Sequence, residues 1–175
     1  TDTSDIYGKG WTAGFILLRD LLKSNNRTVA SVAVGAQHSV AIDSLGDVYS
    51  WGWGDMGQLG LGSYHNENVP KLIQSFSSSS NAALSRNSRS LASTMVHRPV
   101  IRTINCGEDH SVALSEDGSV FTWGSNARGQ LGHGPSNRSS CSPRRVETFK
   151  RPVVEIGCGA FHNIALLSAG QVAVW

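Results

Sequence analysis

Three histidines raise the first question of chemistry. His38, His110 and His162 carry the side chain that titrates nearest neutral pH and most often serves as general acid, general base or metal ligand. They stand inside matching stretches: Gly35-Ala36-Gln37-His38-Ser39-Val40-Ala41-Ile42, Gly107-Glu108-Asp109-His110-Ser111-Val112-Ala113-Leu114 and Gly159-Ala160-Phe161-His162-Asn163-Ile164-Ala165-Leu166. A catalytic group is needed once, whereas a residue at one register in every copy repeats one packing and hydrogen-bonding task. The triplication therefore assigns the histidines a structural role, and no catalytic residue is expected.

Two other patterns suggest chemistry and fail on context. Gly52-Trp53-Gly54-Asp55-Met56-Gly57 spells the dinucleotide fingerprint, which requires a strand before it, a helix after it and an acid about twenty residues on. The matching stretch Gly124-Ser125-Asn126-Ala127-Arg128-Gly129 lacks the middle glycine, so the glycines are expected to shape turns. Cys106, Cys141 and Cys158 are odd in number, with no Cys-x-x-Cys pair and no histidine at zinc-ligand spacing. No disulfide framework, metal, cofactor or small-molecule substrate is expected.

The elements that would position these residues follow from the repeat. Each copy continues through a turn with glycine at Gly46, Gly118 or Gly170 to Trp51, Trp123 or Trp175, always 13 residues after its histidine. The first two copies then run in parallel through Gly57-Gln58-Leu59-Gly60 and Gly129-Gln130-Leu131-Gly132. Ser111 to Leu114 and Ser119 to Trp123 are short, β-branched and aromatic, and Asp117-Gly118 between them is a hairpin turn signal. Val146 to Phe149 and Val153 to Ile156 supply two further strand-like runs, giving about four strands per copy. A four-stranded unit recurring at about that interval predicts an all-β, partial propeller of about three antiparallel blades. The three tryptophans are expected to fill the layer between blades.

The 175 residues carry 15 Lys+Arg against 13 Asp+Glu, a net charge of +2, too balanced for a chain whose main task is to wrap phosphate backbones. No apolar run is long enough to cross a membrane as a helix. Copies lie 72 and then 52 residues apart, and the excess falls in a Ser-rich stretch around 75–95. That composition cannot offset its ordering entropy and reads as an inserted spacer, with a phosphorylatable basic loop as the alternative. The expected segments are therefore 1–28, 29–74, 75–95, 96–148 and 149–175. The first fits either a degenerate repeat strand, which is preferred, or a short helix capped near Thr12. The last is cut off at Trp175, as in a segment of a longer protein.

The Gly-x-x-His-Ser-(Val/Ile)-Ala-Leu strand, the glycine hairpin and the Trp-Gly to Gly-Gln-Leu-Gly tail together resemble the repeat of the regulator of chromosome condensation family. The resemblance implies a seven-bladed propeller of which this chain supplies about three blades. It implies a non-enzymatic, intracellular role, nuclear or cytoplasmic, with a protein partner such as a small GTPase or a chromatin protein. Guanine nucleotide exchange on a Ran-type GTPase is the main alternative, and the propeller of a ubiquitin ligase or an ultraviolet-B photoreceptor relative are lesser ones. The photoreceptor's Gly-Trp-Arg-His-Thr motif is absent from the sequence.

The repeat positions Gly35, Gly107, Gly159, Gly57 and Gly129 join the histidines and tryptophans as framework. Recognition should lie where copies differ on a fixed scaffold. Those positions are Gln37, Glu108, Asp109 and Phe161 before or at the histidine, and Asp55 and Arg128 after the tryptophan.

Overall fold

In the computed structural model, which describes residues 27–77, 98–136 and 138–175, the chain forms three antiparallel sheets. The first contains β1 (Val29–Val34), β2 (His38–Asp43), β3 (Val48–Gly52) and β4 (Glu67–Leu72) in sequential order. The second repeats this with β5 (Ile101–Cys106), β6 (His110–Ser115), β7 (Val120–Gly124) and β8 (Ser140–Arg145). The third holds β9 (Val153–Cys158), β10 (Asn163–Leu167) and β11 (Val172–Val174). β1 lies against β5 and β5 against β9, so the first strands face the inner side and β4 and β8 form the outer edges. The architecture is the expected all-β partial propeller.

Burial follows from the stacking of blades. Every residue of β2 and β6 is buried, since a strand sandwiched between sheets has no solvent face. Val40 and Val112 point into the clusters shared with the following blade and are 0% exposed, whereas Ile164, at the same register of β10, is 45% exposed. Ala41, Ala113 and Ala165 face the opposite way and are all buried.

The hairpins form as the turn residues dictate. Ser115 N donates to Ser119 O and Gly118 N to Ser115 O, with Gly118 at φ +82°, a conformation that costs glycine nothing. Asp117 accepts from Ser119 N at 3.0 Å and Ser115 Oγ at 2.5 Å. These bonds hold its carboxyl below the usual carboxylate range, the Ser115 bond contributing most.

The fourth strand departs from the expectation. Val146 to Phe149 is not a strand; the outer strand is Ser140–Arg145, directly before it. Val146 continues the ladder by one bond, N to Val120 O at 2.8 Å, then enters the core, and Phe149 stacks edge-on against Trp175 at 5.3 Å. The run is apolar because it plugs the blade junction. The true strand is polar and carries Pro143, matched by Pro70 in β4. Proline is tolerated there because an outer strand has a neighbour on one side only.

The described residues on either side of 78–97 come together. Gln74–Phe76 makes one 3-10 turn and Phe76 is 1% exposed in the first core cluster. The ordered blade thus extends to Ser77, past residue 75 where composition starts the insertion. Arg98 NH1 donates to Phe76 O, so the two ends meet. Residues 1–26 and 78–97, which hold most of the segment expected as a degenerate repeat strand or short helix and most of the expected insertion, lie outside the described residues. Replacing 78–97 with a six-residue Gly/Ser linker should leave the thermal midpoint unchanged or raised slightly, because shortening the loop lowers its closure entropy by about 1 kcal/mol. A drop of more than about 5 °C would show that the stretch supports the blade.

Candidate functional site

His38 and His110 begin the second strands of their blades, where the register sets each opposite the glycine after the tryptophan, His38 against Gly52 and His110 against Gly124, and His162 directly precedes β10. Each ring lies over the glycine three residues earlier. A methyl added at Gly35, Gly107 or Gly159 would overlap the imidazole of His38, His110 or His162.

The rings reach into the next blade. Ser111 Oγ donates its one hydroxyl proton to Gln58 O at 3.0 Å, so its oxygen accepts from His38 Nε2 at 2.9 Å. Asn163 Nδ2 donates to Gln130 O at 2.6 Å, leaving Asn163 Oδ1 to accept from His110 Nε2 at 2.8 Å. Both histidines thus carry the proton on Nε2, and their buried Nδ1 atoms have no partner. Burial pushes the His38 imidazole down to about 4, with the charge of His110 adding to it. Burial also lowers His110, against the opposing bond to Asn163. His162 is exposed and meets no following blade among the described residues.

The tryptophans complete these junctions. Trp123 is fully buried, packs on Gly60 and donates Nε1 to Gln58 O at 2.8 Å, and Trp175 packs half-buried on Gly132. At the register of Ser111 and Trp123, the buried Ser39 Oγ and Trp51 Nε1 have no hydrogen-bond partner among the described residues. Gln58 and Gln130 are the residues the sequence reading passed over. Their carbonyls receive the next blade, and their side chains accept from Met56 N at 3.0 Å and Arg128 N at 2.9 Å, shaping the loops. Their recurrence in the Gly-Gln-Leu-Gly stretch was the available signal.

The copy-specific residues gather on one rim, formed by the β1–β2 and β3–β4 loops of each blade. Gln37 O and Asp109 O accept from Trp53 N and Ser125 N, tying the two loops of a blade together. Gln58 Nε2 donates to Asp109 Oδ1 at 3.4 Å across the first junction. Arg128 lies 4.4 Å over the Phe161 ring across the second. Asp55 and Glu108 are exposed in these loops, as are Trp53 and Met56, 45% and 46% accessible. The Gly52-to-Gly57 stretch ends β3 and enters this loop rather than a helix.

The opposite rim, with the β2–β3 hairpins, holds a charge cluster that the repeat does not announce. Arg27 NH1 donates to Asp43 at 2.8 Å and Asp47 at 2.5 Å, and Arg98 NH1 donates to Asp47 at 3.0 Å. Asp43 and Asp47 are buried, and the arginines supply the charge that their burial demands.

The cysteines are free. Cys106 and Cys158 end the first strands of their blades, and burial pushes both thiols up to about 12. Cys158 Sγ donates to Asn163 Oδ1 at 3.0 Å. Among the described residues no group of three His, Cys, Asp or Glu could hold a metal ion. Iodoacetamide at pH 8 should leave Cys106 and Cys158 unmodified in the native protein and label both after denaturation, read by peptide mass spectrometry. Rapid native labelling of either would contradict the burial.

A sequence profile described as the regulator of chromosome condensation (RCC1) repeat matches residues 46–88 and 117–166, and a second of the same description matches 29–58 and 101–130. The chain belongs to the regulator of chromosome condensation repeat family. The RCC1-type sequence is 34% identical over 146 residues to the human "Probable E3 ubiquitin-protein ligase HERC6", covering 82% of this chain and 12% of that protein. It is 37% identical over 146 residues to the Xenopus laevis "Protein RCC2 homolog", covering 82% and 25%. It thus spans a quarter or less of the length of these relatives.

Among solved structures, the RCC1-type blades superpose on human WBSCR16 with a TM-score of 0.67 at 28% identity, covering 85% of this chain and 33% of that one. They superpose on Prp20p from Saccharomyces cerevisiae with a TM-score of 0.62 at 28% identity, covering 84% and 32%. The latter structure is described together with its binding properties to Gsp1p and histones.

Proposed function

We propose that this RCC1-type segment is a protein-interaction part of a larger regulatory protein of the nucleus or cytoplasm, and that it binds through the rim carrying the β1–β2 and β3–β4 loops. One observation carries the reading: residues that differ between copies stand at the blade junctions of this rim, Arg128 over Phe161 at the second and Asp109 held by the repeated Gln58 at the first. The histidine, tryptophan and glycine positions serve as the framework. Exposed Trp53 and Met56, on the rim whose loops also carry Asp55, Glu108 and Asp109, favour a partner that presents an apolar side chain beside Lys or Arg.

Selection of displayed peptides on the full chain tests this. The expected result is enrichment of sequences pairing Lys or Arg with an apolar residue, with binding lost in the Asp55→Lys/Glu108→Lys/Asp109→Lys variant. Enriched peptides insensitive to that variant, or no enrichment, would overturn the reading.

A second reading, exchange of guanine nucleotide on a Ran-type GTPase, is favoured by the likeness to Prp20p. An unchanged release rate of labelled nucleotide from that GTPase, in the presence of the full-length parent protein, would remove it.

A further inference from the structure

The two blade junctions are built alike on the rim opposite the loops, except at one point. In the junction between the first two sheets, Phe76 plugs the core three residues after the last ladder bond, Ile73 N to Val48 O. Arg98, three residues before β5, there donates to the buried Asp47. In the next junction Val146 N bonds Val120 O and Phe149 follows three residues later, while Lys150 stands three residues before β9. The position of Asp47, whose carbonyl accepts from the first residue of its hairpin, is taken by Ser119. The cation has been kept at this register and its acid has not.

What results is a cavity of about 180 Å³ lined by Ser119, Val120, Arg145, Phe149, Lys150 and Arg151, among others. Val120 and Phe149 give it apolar surface, and Arg145, Lys150 and Arg151 make its lining basic. Arg145 has Glu147 at 3.9 Å, both exposed, whereas Lys150 and Arg151 make no ion pair among the described residues. Asp117 also lines it, but its carboxylate is already engaged by Ser115 and Ser119. A space of this size admits a single ring-sized side chain.

We infer that this groove, between the β6–β7 hairpin and the β8–β9 connection, binds an acidic peptide segment. An external carboxylate takes the place that Asp47 fills in the neighbouring junction, and an adjoining apolar side chain enters beside Phe149. Lys150 and Arg151 are the cations that receive it. This surface is on the rim opposite the proposed loop interface and has the opposite charge preference, so either reading can fail without the other.

The test uses the full chain and fluorescein-labelled peptides in a fluorescence anisotropy titration at low salt. EEDFEE should bind, and EEDGEE and KKRFKK should bind at least about tenfold more weakly. Ser119→Asp supplies the missing acid from within and should weaken EEDFEE binding by at least about tenfold while raising the thermal midpoint. Lys150→Glu/Arg151→Glu, at exposed positions that do not threaten folding, should weaken it as much. No preference for EEDFEE over KKRFKK, or binding indifferent to Lys150→Glu/Arg151→Glu, would overturn the proposal. So would a DNA duplex that binds more tightly with the same sensitivity to these variants.

Discussion

Trp123→Ala should cost about 3–5 kcal/mol of folding stability, the range for removing a large buried aromatic. The indole is fully buried in the first core cluster, 5.9 Å from the Phe76 ring, and donates to Gln58 O at 2.8 Å. Truncation would open a void in the cluster that Trp123 shares with Ile42, Phe76 and Ile104, and both blades would feel it. Trp123→Phe retains most of the packing and loses the N–H donor, so it should cost about 1–2 kcal/mol beyond the small change in volume. Trp175→Ala should cost clearly less than Trp123→Ala, because Trp175 is only half-buried and its Nε1 has no acceptor. Urea unfolding followed by far-UV circular dichroism gives the three values. A loss below about 1 kcal/mol for Trp123→Ala would mean that the junction relaxes around the missing ring.

Acidification should destabilise the blades well above the pH at which carboxylates titrate. His38 is held neutral in the fold, with its imidazole lowered to about 4, while the unfolded chain titrates near 6.5. Below 6.5 the unfolded state therefore binds more protons than the folded one, and stability falls as pH drops from 6.5 to about 4. For His38 alone the span amounts to about 3 kcal/mol. The geometry gives the same sign: a second proton would sit on the buried Nδ1, which has no acceptor and faces Gly35. His110 and His133 are also lowered, mainly by burial, and deepen the loss. Urea midpoints at pH 7.5, 6.5, 5.5 and 4.5 would show the slope, and His38→Gln, which retains a donor toward Ser111, should flatten it. Stability constant down to pH 4.5 would contradict the assignment of neutral, Nε2-protonated rings.

The repeat was legible because the two blade junctions are packed with residues of the same types at the same register. A histidine that must lie flat on a backbone needs glycine three positions earlier, and a tryptophan that must meet the previous blade needs a fixed hairpin between them. Such constraints leave periodic letters. The fourth strand left none: it is exposed, polar and interrupted by proline, while the apolar run beside it, Val146 to Phe149, imitates a strand and is a plug. Gln58 was passed over because its main task falls to its carbonyl, which any residue could supply. The cluster of Arg27, Asp43, Asp47 and Arg98 was invisible for a different reason. Its partners lie up to 51 residues apart and break the repeat, so no periodicity points to them. The exchange of Asp47 for Ser119 can be seen in the letters once the hairpins are aligned, but its meaning depends on knowing that Lys150 and Arg98 share a position.

The prolines of β4 and β8 carry a consequence for how this protein can evolve. With Pro70 and Pro143 interrupting the perimeter, a visiting chain finds no continuous row of amides along which to zip. A contact along that perimeter would then rest on side chains, the part of the strand free to vary. Lineages can exchange one ligand for another by rewriting a few exposed letters, and the scaffold underneath need never be renegotiated.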